Sequence, residues 1–251
     1  MKIAHILAFL GMLLSSVAHS QVFDVLYKDD APTRTLLTPV KNAKAVVLLF
    51  PGGGGMLRLK DDGSSTNFHT FVRSKNLWAQ YGIDAVLVDT PYDLGNGRAH
   101  SRSIRDHQQR IFNVVRFYKE KLNLPIWIFG HSMGTVSVTE FVNGGKDQAA
   151  LISGVIVAGR AVRLAADRHL RDLTKAGLKR RYPEGTPFKV ARLALEQAEQ
   201  QAGPAGLAPG FQEGNPLAAE PVATLDHQHK TGRLVQTAFM HLAALVVHAL
   251  M

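Results

Sequence analysis

Residues 124–140 read LPIWIFGHSMGTVSVTE. An apolar run from Pro125 to Phe129 stops at Gly130, and Ser132 follows between His131 and Met133, with Gly134 closing the motif. The residues after it suit a helix. That order predicts a buried strand, a tight turn with the serine at its apex, and a helix running back along the sheet. Glycine is needed on both sides, because a serine thrust into a strained backbone conformation leaves no room for neighbouring Cβ atoms. Such a turn exposes the hydroxyl and sets the next backbone N–H groups at a helix N-terminus, where they can stabilise a developing oxyanion. The plainer alternative is an ordinary strand–turn–helix whose serine only caps the helix.

In this context Gly130-His131-Ser132-Met133-Gly134 resembles the nucleophile elbow of the α/β-hydrolase family. A second motif stands in the expected order upstream of it. Ala45 to Phe50 is a continuous aliphatic run, typical of a strand covered on both faces, and it runs straight into Pro51-Gly52-Gly53-Gly54-Gly55. Glycines after a central strand let backbone N–H groups point into a site at close range. In the family this position carries the oxyanion loop, often written HGGG; here proline stands where that histidine would be. The resemblance implies one oxyanion donor from about Gly53 or Gly54 and a second from the N–H of Met133. A phosphate-binding loop would need a Gly-Lys-Ser/Thr ending, whereas this run continues Met56-Leu57-Arg58. A flexible turn without function is the bland alternative.

Composition narrows the classes. A chain of 251 residues, 46% hydrophobic and 20% charged, fits one globular domain with a sizeable core. The absence of cysteine excludes a disulfide framework, a thiol nucleophile and a Cys-based zinc site. A formal charge of +9 favours anionic surroundings, and peripheral contact with an anionic membrane surface is the partner it suggests. Nucleic acid is not expected, because the Lys and Arg residues are scattered and no basic run is interleaved with aromatics. Met1 to Ser20 reads as a secretory signal peptide. Lys2 is its positive n-region and Ala18-His19-Ser20 offers small residues for cleavage before Gln21. Its apolar core, Ile3 to Leu14, is short against the roughly 20 residues of a membrane span. A periplasmic or secreted protein is therefore expected.

From Gln21, strands are predicted at Val22 to Tyr27, Arg34 to Leu37, Ala45 to Phe50, Ile83 to Val88 and Gly154 to Gly159. Thr66 to Gln80 suits an amphipathic helix, and Ser103 can cap another whose apolar positions include Ile111, Val114, Val115 and Tyr118. The elbow helix continues from Thr135 to Val142 and is stopped by Asn143-Gly144-Gly145. Through Gly159 this alternation predicts a doubly wound, mostly parallel α/β sheet, and the resemblance covers roughly residues 22–159. Asp89, Tyr92 and Asp93 follow a strand end, where sites in open parallel sheets lie, although turn chemistry around Pro91 explains them as well. His100 and His107 have no partner at metal spacing, and no metal is expected. The proposed chemistry requires no cofactor.

The character changes after about Arg160. The chain thus divides into a signal peptide (1–20), a hydrolase-like core (21–160) and an atypical, irregular or helical C-terminal region (161–251). Helices are expected at 163–179, 190–201 and 233–250, with loop between 202 and 221. Pro221 to Asp226 is a weak strand ending in an acid, and His227, His229, His241 and His248 follow. The family's chain order of serine, acid and histidine is met by Ser132, Asp226 and either His229 or His241. The tail is either a helical lid with a compressed remainder or a replacement sequence, such as the product of a shifted reading frame; the abrupt change favours the second. The resulting expectation is an exported serine hydrolase that cleaves small-molecule carboxylic esters through an acyl-enzyme on Ser132. Its rival is a non-catalytic α/β-hydrolase-like binding protein that lacks a complete triad.

Overall fold

A computed structural model of the chain describes residues 19–27, 31–67, 69–90, 105–159 and 175–194, together with 240–241, 243–245, 247–248 and 251. Its strands are β1 (Gln21–Val25), β2 (Thr33–Thr38), β3 (Ala45–Phe50), β4 (Ile83–Val88), β5 (Ile126–His131), β6 (Gly154–Gly159) and β7 (Lys189–Ala194). The helices are α1 (Thr70–Ser74), α2 (Arg105–Leu122), α3 (Gly134–Asn143), α4 (Lys146–Ala149) and α5 (Lys175–Arg181).

All seven strands join one sheet in the order β1-β2-β4-β3-β5-β6-β7. β1 and β2 pair antiparallel, as does β2 with β4, and every pairing from β4 through β7 is parallel. The sheet is therefore mixed and mostly parallel, and the architecture is α/β-hydrolase-like. β3 lies between β4 on one side and β5 on the other. The chain winds to one side after β3 and to the other after β4, which creates a topological switch point at the C-terminal ends of β3 and β5. Ligand sites of open α/β sheets lie at such points.

The aliphatic run of β3 is buried at every position because helices cover both faces of the sheet. On one face Val46, Leu48, Ile128 and Val155 pack with Val114 and Tyr118 of α2 and Val138 and Phe141 of α3. On the other, Val47, Leu49, Trp127 and Phe129 pack with Phe71, Trp78 and the C-terminal residues Ala243 and Val247. β5 contributes to both clusters, so both sides of the strand that carries the elbow are fixed by core packing.

Two local expectations are corrected. The helix expected over residues 66–80 is α1 followed by a 3-10 helix, Lys75–Tyr81, because the His69 imidazole caps the Phe71 N–H and starts the helix only at Thr70. Residues 190–201 were expected to be helical, yet Lys189–Ala194 forms β7, paired parallel to β6 from Gly154↔Lys189 to Gly159↔Ala194. Its alanines and leucine favour helix, and the exposed edge of β6 overrides that preference. The sheet therefore extends past residue 160. The expected signal peptide up to residue 18, Ser103, and most of the C-terminal region lie outside the described residues. Among the described residues no helix is long and apolar enough to cross a membrane.

Candidate active site

Ser132 follows β5 and has φ 51°, the left-handed region that non-glycine residues rarely enter. Three hydrogen bonds hold it there. Its N–H donates to Ala158 O at 2.7 Å, and its carbonyl accepts the Thr135 N–H at 2.9 Å and the Thr135 hydroxyl at 2.6 Å. The flanking glycines are required by contact. A Cβ on Gly130 would lie 2.4 Å from Gly134 O, and one on Gly134 would lie 2.0 Å from Phe50 O. The elbow is thus pressed onto the end of β3. α3 begins directly behind it, and its N-cap, Met133, provides no side-chain cap.

The glycine loop after β3 packs against this turn. A Cβ on Gly52 would lie 2.9 Å from the Ser132 Cβ, so backbone and nucleophile candidate are in direct contact. Asp89, at the end of β4, clamps the loop from below: its carboxylate accepts the Leu57 N–H at 2.5 Å and the Leu59 N–H at 3.0 Å. The Thr90 N–H adds a bond to Gly55 O at 3.2 Å. Burial raises the Asp89 pKa above the ordinary aspartate value, while the surrounding backbone N–H donors pull it back down. Asp89 is thus neither a simple turn residue nor part of the pocket floor; it positions the loop. From the side, Asn67 Nδ2 donates to Met56 O at 2.7 Å and the Ser65 hydroxyl to Leu57 O at 2.5 Å.

His69 is a site residue to which the sequence reading gave no role. Its Nε2 faces the Gly52 N–H at 3.0 Å and its Nδ1 the Phe71 N–H at 3.1 Å. A neutral imidazole has one acceptor nitrogen, so these two donors compete for it. Histidine is not among the preferred helix caps, which is why nothing in the sequence singled it out. His131 packs edge-on against Phe71 and His69, with ring centroids 5.9 and 5.6 Å away, and burial lowers its pKa.

Together these elements border an open pocket of about 730 Å³ lined by residues 51–58, Thr66, Asn67, His69, Thr70, Arg73, His131 and Ser132. Gly53 and Gly54 are on its wall beside Ser132, and Met133 is at the N-terminus of α3. Among the described residues no group of His, Asp or Glu could hold a metal ion.

The structure does not bring His241 to Ser132. Its Nδ1 pairs with the Tyr81 hydroxyl at 2.7 Å, and its ring packs on Tyr81, immediately before β4. Ser132 lies at the opposite, C-terminal end of the parallel strands, and six strand residues span about 20 Å. A general base needs hydrogen-bond reach, so His241 is withdrawn as the base. The cause is a buried contact invisible in the sequence: His241 belongs to the C-terminal segment that covers Trp78 and Trp127. Asp226, His229, Tyr92 and Asp93 lie outside the described residues.

No protein-family model matches the sequence, and no curated protein matches it significantly. Among solved structures the chain is similar to a PEG-bound, cold-adapted esterase from an Arctic intertidal metagenomic library, with TM-score 0.38 and 14% identity over 69% of this chain and 83% of that one. It is also similar to the dienelactone hydrolase of Anabaena variabilis, with TM-score 0.43 and 16% identity over 70% and 86%. For carboxyl esterase 2 of the mycorrhizal fungus Tuber melanosporum the values are 0.42 and 14% over 70% and 53%.

Proposed function

We propose that the chain is an exported serine hydrolase that cleaves carboxylic esters through an acyl-enzyme on Ser132. The observation that carries the reading is the left-handed backbone of Ser132, held by three hydrogen bonds directly against a glycine loop at the switch point of the sheet. A serine that merely capped a helix would need no such strain.

In the proposed reaction the Ser132 hydroxyl oxygen attacks the ester carbonyl carbon, and its proton passes to a histidine base. The carbonyl oxygen takes up the negative charge and accepts hydrogen bonds from the N–H of Met133 and from Gly53 or Gly54. Each such donor contributes about 3 kcal/mol to the transition state. Collapse expels the alcohol, protonated by the same histidine, and water then releases the acid by the reverse sequence. Asp226 and His229 remain the proposed acid and base, in the chain order the mechanism uses on this type of sheet.

The rival is a non-catalytic binding protein: among the described residues no histidine hydrogen-bonds the Ser132 hydroxyl, and His229 lies outside them. Hydrolysis of 4-nitrophenyl acetate by the full chain separates the two. The hydrolase reading expects turnover above background that Ser132→Ala reduces by at least about a thousandfold. Folded protein with no turnover supports the binding protein, and turnover that survives in Ser132→Ala removes Ser132 as the nucleophile.

A further inference from the structure

The Gly52 and Gly55 N–H groups of the loop after β3 both have partners. Gly52 N–H points at His69 Nε2 at 3.0 Å, and the Gly55 N–H donates to Gly52 O at 3.1 Å. The proposed oxyanion donors, Gly53 and Gly54, stand between them in the chain. Gly52 is also the loop residue pressed on the nucleophile candidate: a Cβ there would meet the Ser132 Cβ at 2.9 Å and His131 O at 3.0 Å. Whatever fixes the Gly52 peptide therefore fixes how the loop sits against Ser132.

The far end of this loop is held by Asp89 and Asn67, and its near end, at Gly52, is held by His69. The histidine is placed for that contact. Asn67 Oδ1 accepts the His69 N–H at 2.8 Å while the same side chain donates to Met56 O, so His69 and the loop share one anchor. The residue type adds an independent observation. The contact of Nδ1 with the Phe71 N–H, at 3.1 Å, is a helix cap that a shorter side chain such as asparagine makes as well or better. An asparagine side chain ends at the level of Nδ1 and stops short of Gly52. The reach of the imidazole is thus explained by the loop and not by the helix.

We propose that His69 is a positioning residue for the reaction at Ser132: its Nε2 accepts the Gly52 N–H and holds the glycine loop where Gly53 or Gly54 can meet the oxyanion. This rests on the hydrolase reading of Ser132. His69 touches no reacting atom in that reaction and acts through Gly52. Of its two neutral tautomers, the one with the proton on Nδ1 supports the reaction, because it leaves Nε2 as the acceptor. A donor misplaced by about 1 Å lowers the rate by up to about a hundredfold, and the loss falls on kcat because the oxyanion exists only in the transition state.

The test measures kcat and KM for 4-nitrophenyl acetate on the full chain, together with urea unfolding, in two variants that split the ring's contacts. His69→Asn places an oxygen at the level of Nδ1 and keeps the cap without reaching Gly52. His69→Gln places one at the level of Nε2, which reaches Gly52 and gives up the cap. The kcat of His69→Asn is expected to lie about tenfold below that of the wild type and of His69→Gln, with KM changed by less than about twofold. Its urea midpoint is expected to be no lower than that of His69→Gln, since asparagine is a preferred cap. A histidine that only capped the helix would make activity follow stability instead. A kcat in His69→Asn equal to the wild type's, a kcat higher in His69→Asn than in His69→Gln, or a loss carried by KM overturns the role. If no protein turns the ester over, the hydrolase reading has failed on its own, and hydrogen exchange at the Gly52 amide decides the tether. Exchange at least about tenfold faster in His69→Asn than in the wild type supports it, and equal rates overturn it.

Discussion

Gly134→Ala tests the elbow by setting two rules against each other. In an ordinary helix alanine is preferred to glycine by about 1 kcal/mol, so a serine-capped helix would gain stability. At the observed turn the new Cβ would sit 2.0 Å from Phe50 O, 2.8 Å from Phe50 C and 2.9 Å from Pro51 O. All three atoms are main chain of a central strand and its loop, so no rotamer change relieves the clash. Forcing a methyl into a filled site costs about 3 kcal/mol when the backbone must shift. Set against the helical gain, a net loss of about 2 kcal/mol remains, or about 4 to 8 °C in Tm for a chain of this size. Gly144→Ala is the control. Its Cβ meets the far end of the Gln148 side chain, which can swing away, and its φ of −67° suits alanine. Thermal unfolding followed by circular dichroism reads both variants. A Gly134→Ala protein as stable as the wild type, or more so, would refute the elbow geometry.

Three further outcomes follow from the same contacts. Ser132→Gly should be about 1 kcal/mol more stable than Ser132→Ala in urea unfolding, because glycine relieves the φ of 51° and alanine retains it; equal stabilities would mean that the strain is absent. Asp89→Asn replaces one acceptor oxygen by an amide donor that opposes the Leu57 or Leu59 N–H, so it should cost about 1 to 3 kcal/mol and lower kcat by loosening the loop; unchanged stability and turnover would remove Asp89 as the clamp. Burial lowers the His131 pKa below its unfolded value of 6.5, so in the window below 6.5 the unfolded chain binds more protons. The His131 contribution should be complete above about pH 6.5 and lost as pH falls through the folded pKa. Comparing His131→Asn with the wild type from pH 7 to 5 checks it, since the variant should lose less stability than the wild type.

The sheet was legible wherever chain-local patterns decide structure. β3 and β6 are unbroken apolar runs and β4 is interrupted only by Asp84, and such runs are written by burial on both faces. The elbow was legible because its constraint is steric and local: Gly130 and Gly134 are each demanded by a backbone contact within the motif or the adjoining strand. β7 was not legible, because KVARLA takes its strand form from pairing with β6 rather than from its own preferences. His69, Asp89 and His241 share a different reason. Each is defined by a partner far along the chain: Gly52 for His69, Leu57 and Leu59 for Asp89, Tyr81 for His241. One sequence displays residue types, and it does not display which of them meet.

Whether Ser132 is the acylated residue is tested most directly by treating the full chain with a fluorophosphonate and locating the adduct by peptide mass spectrometry. A single adduct on the peptide that contains Ser132, absent from Ser132→Ala, is the predicted result. Folded protein that carries no adduct, or carries it on another residue, would contradict it.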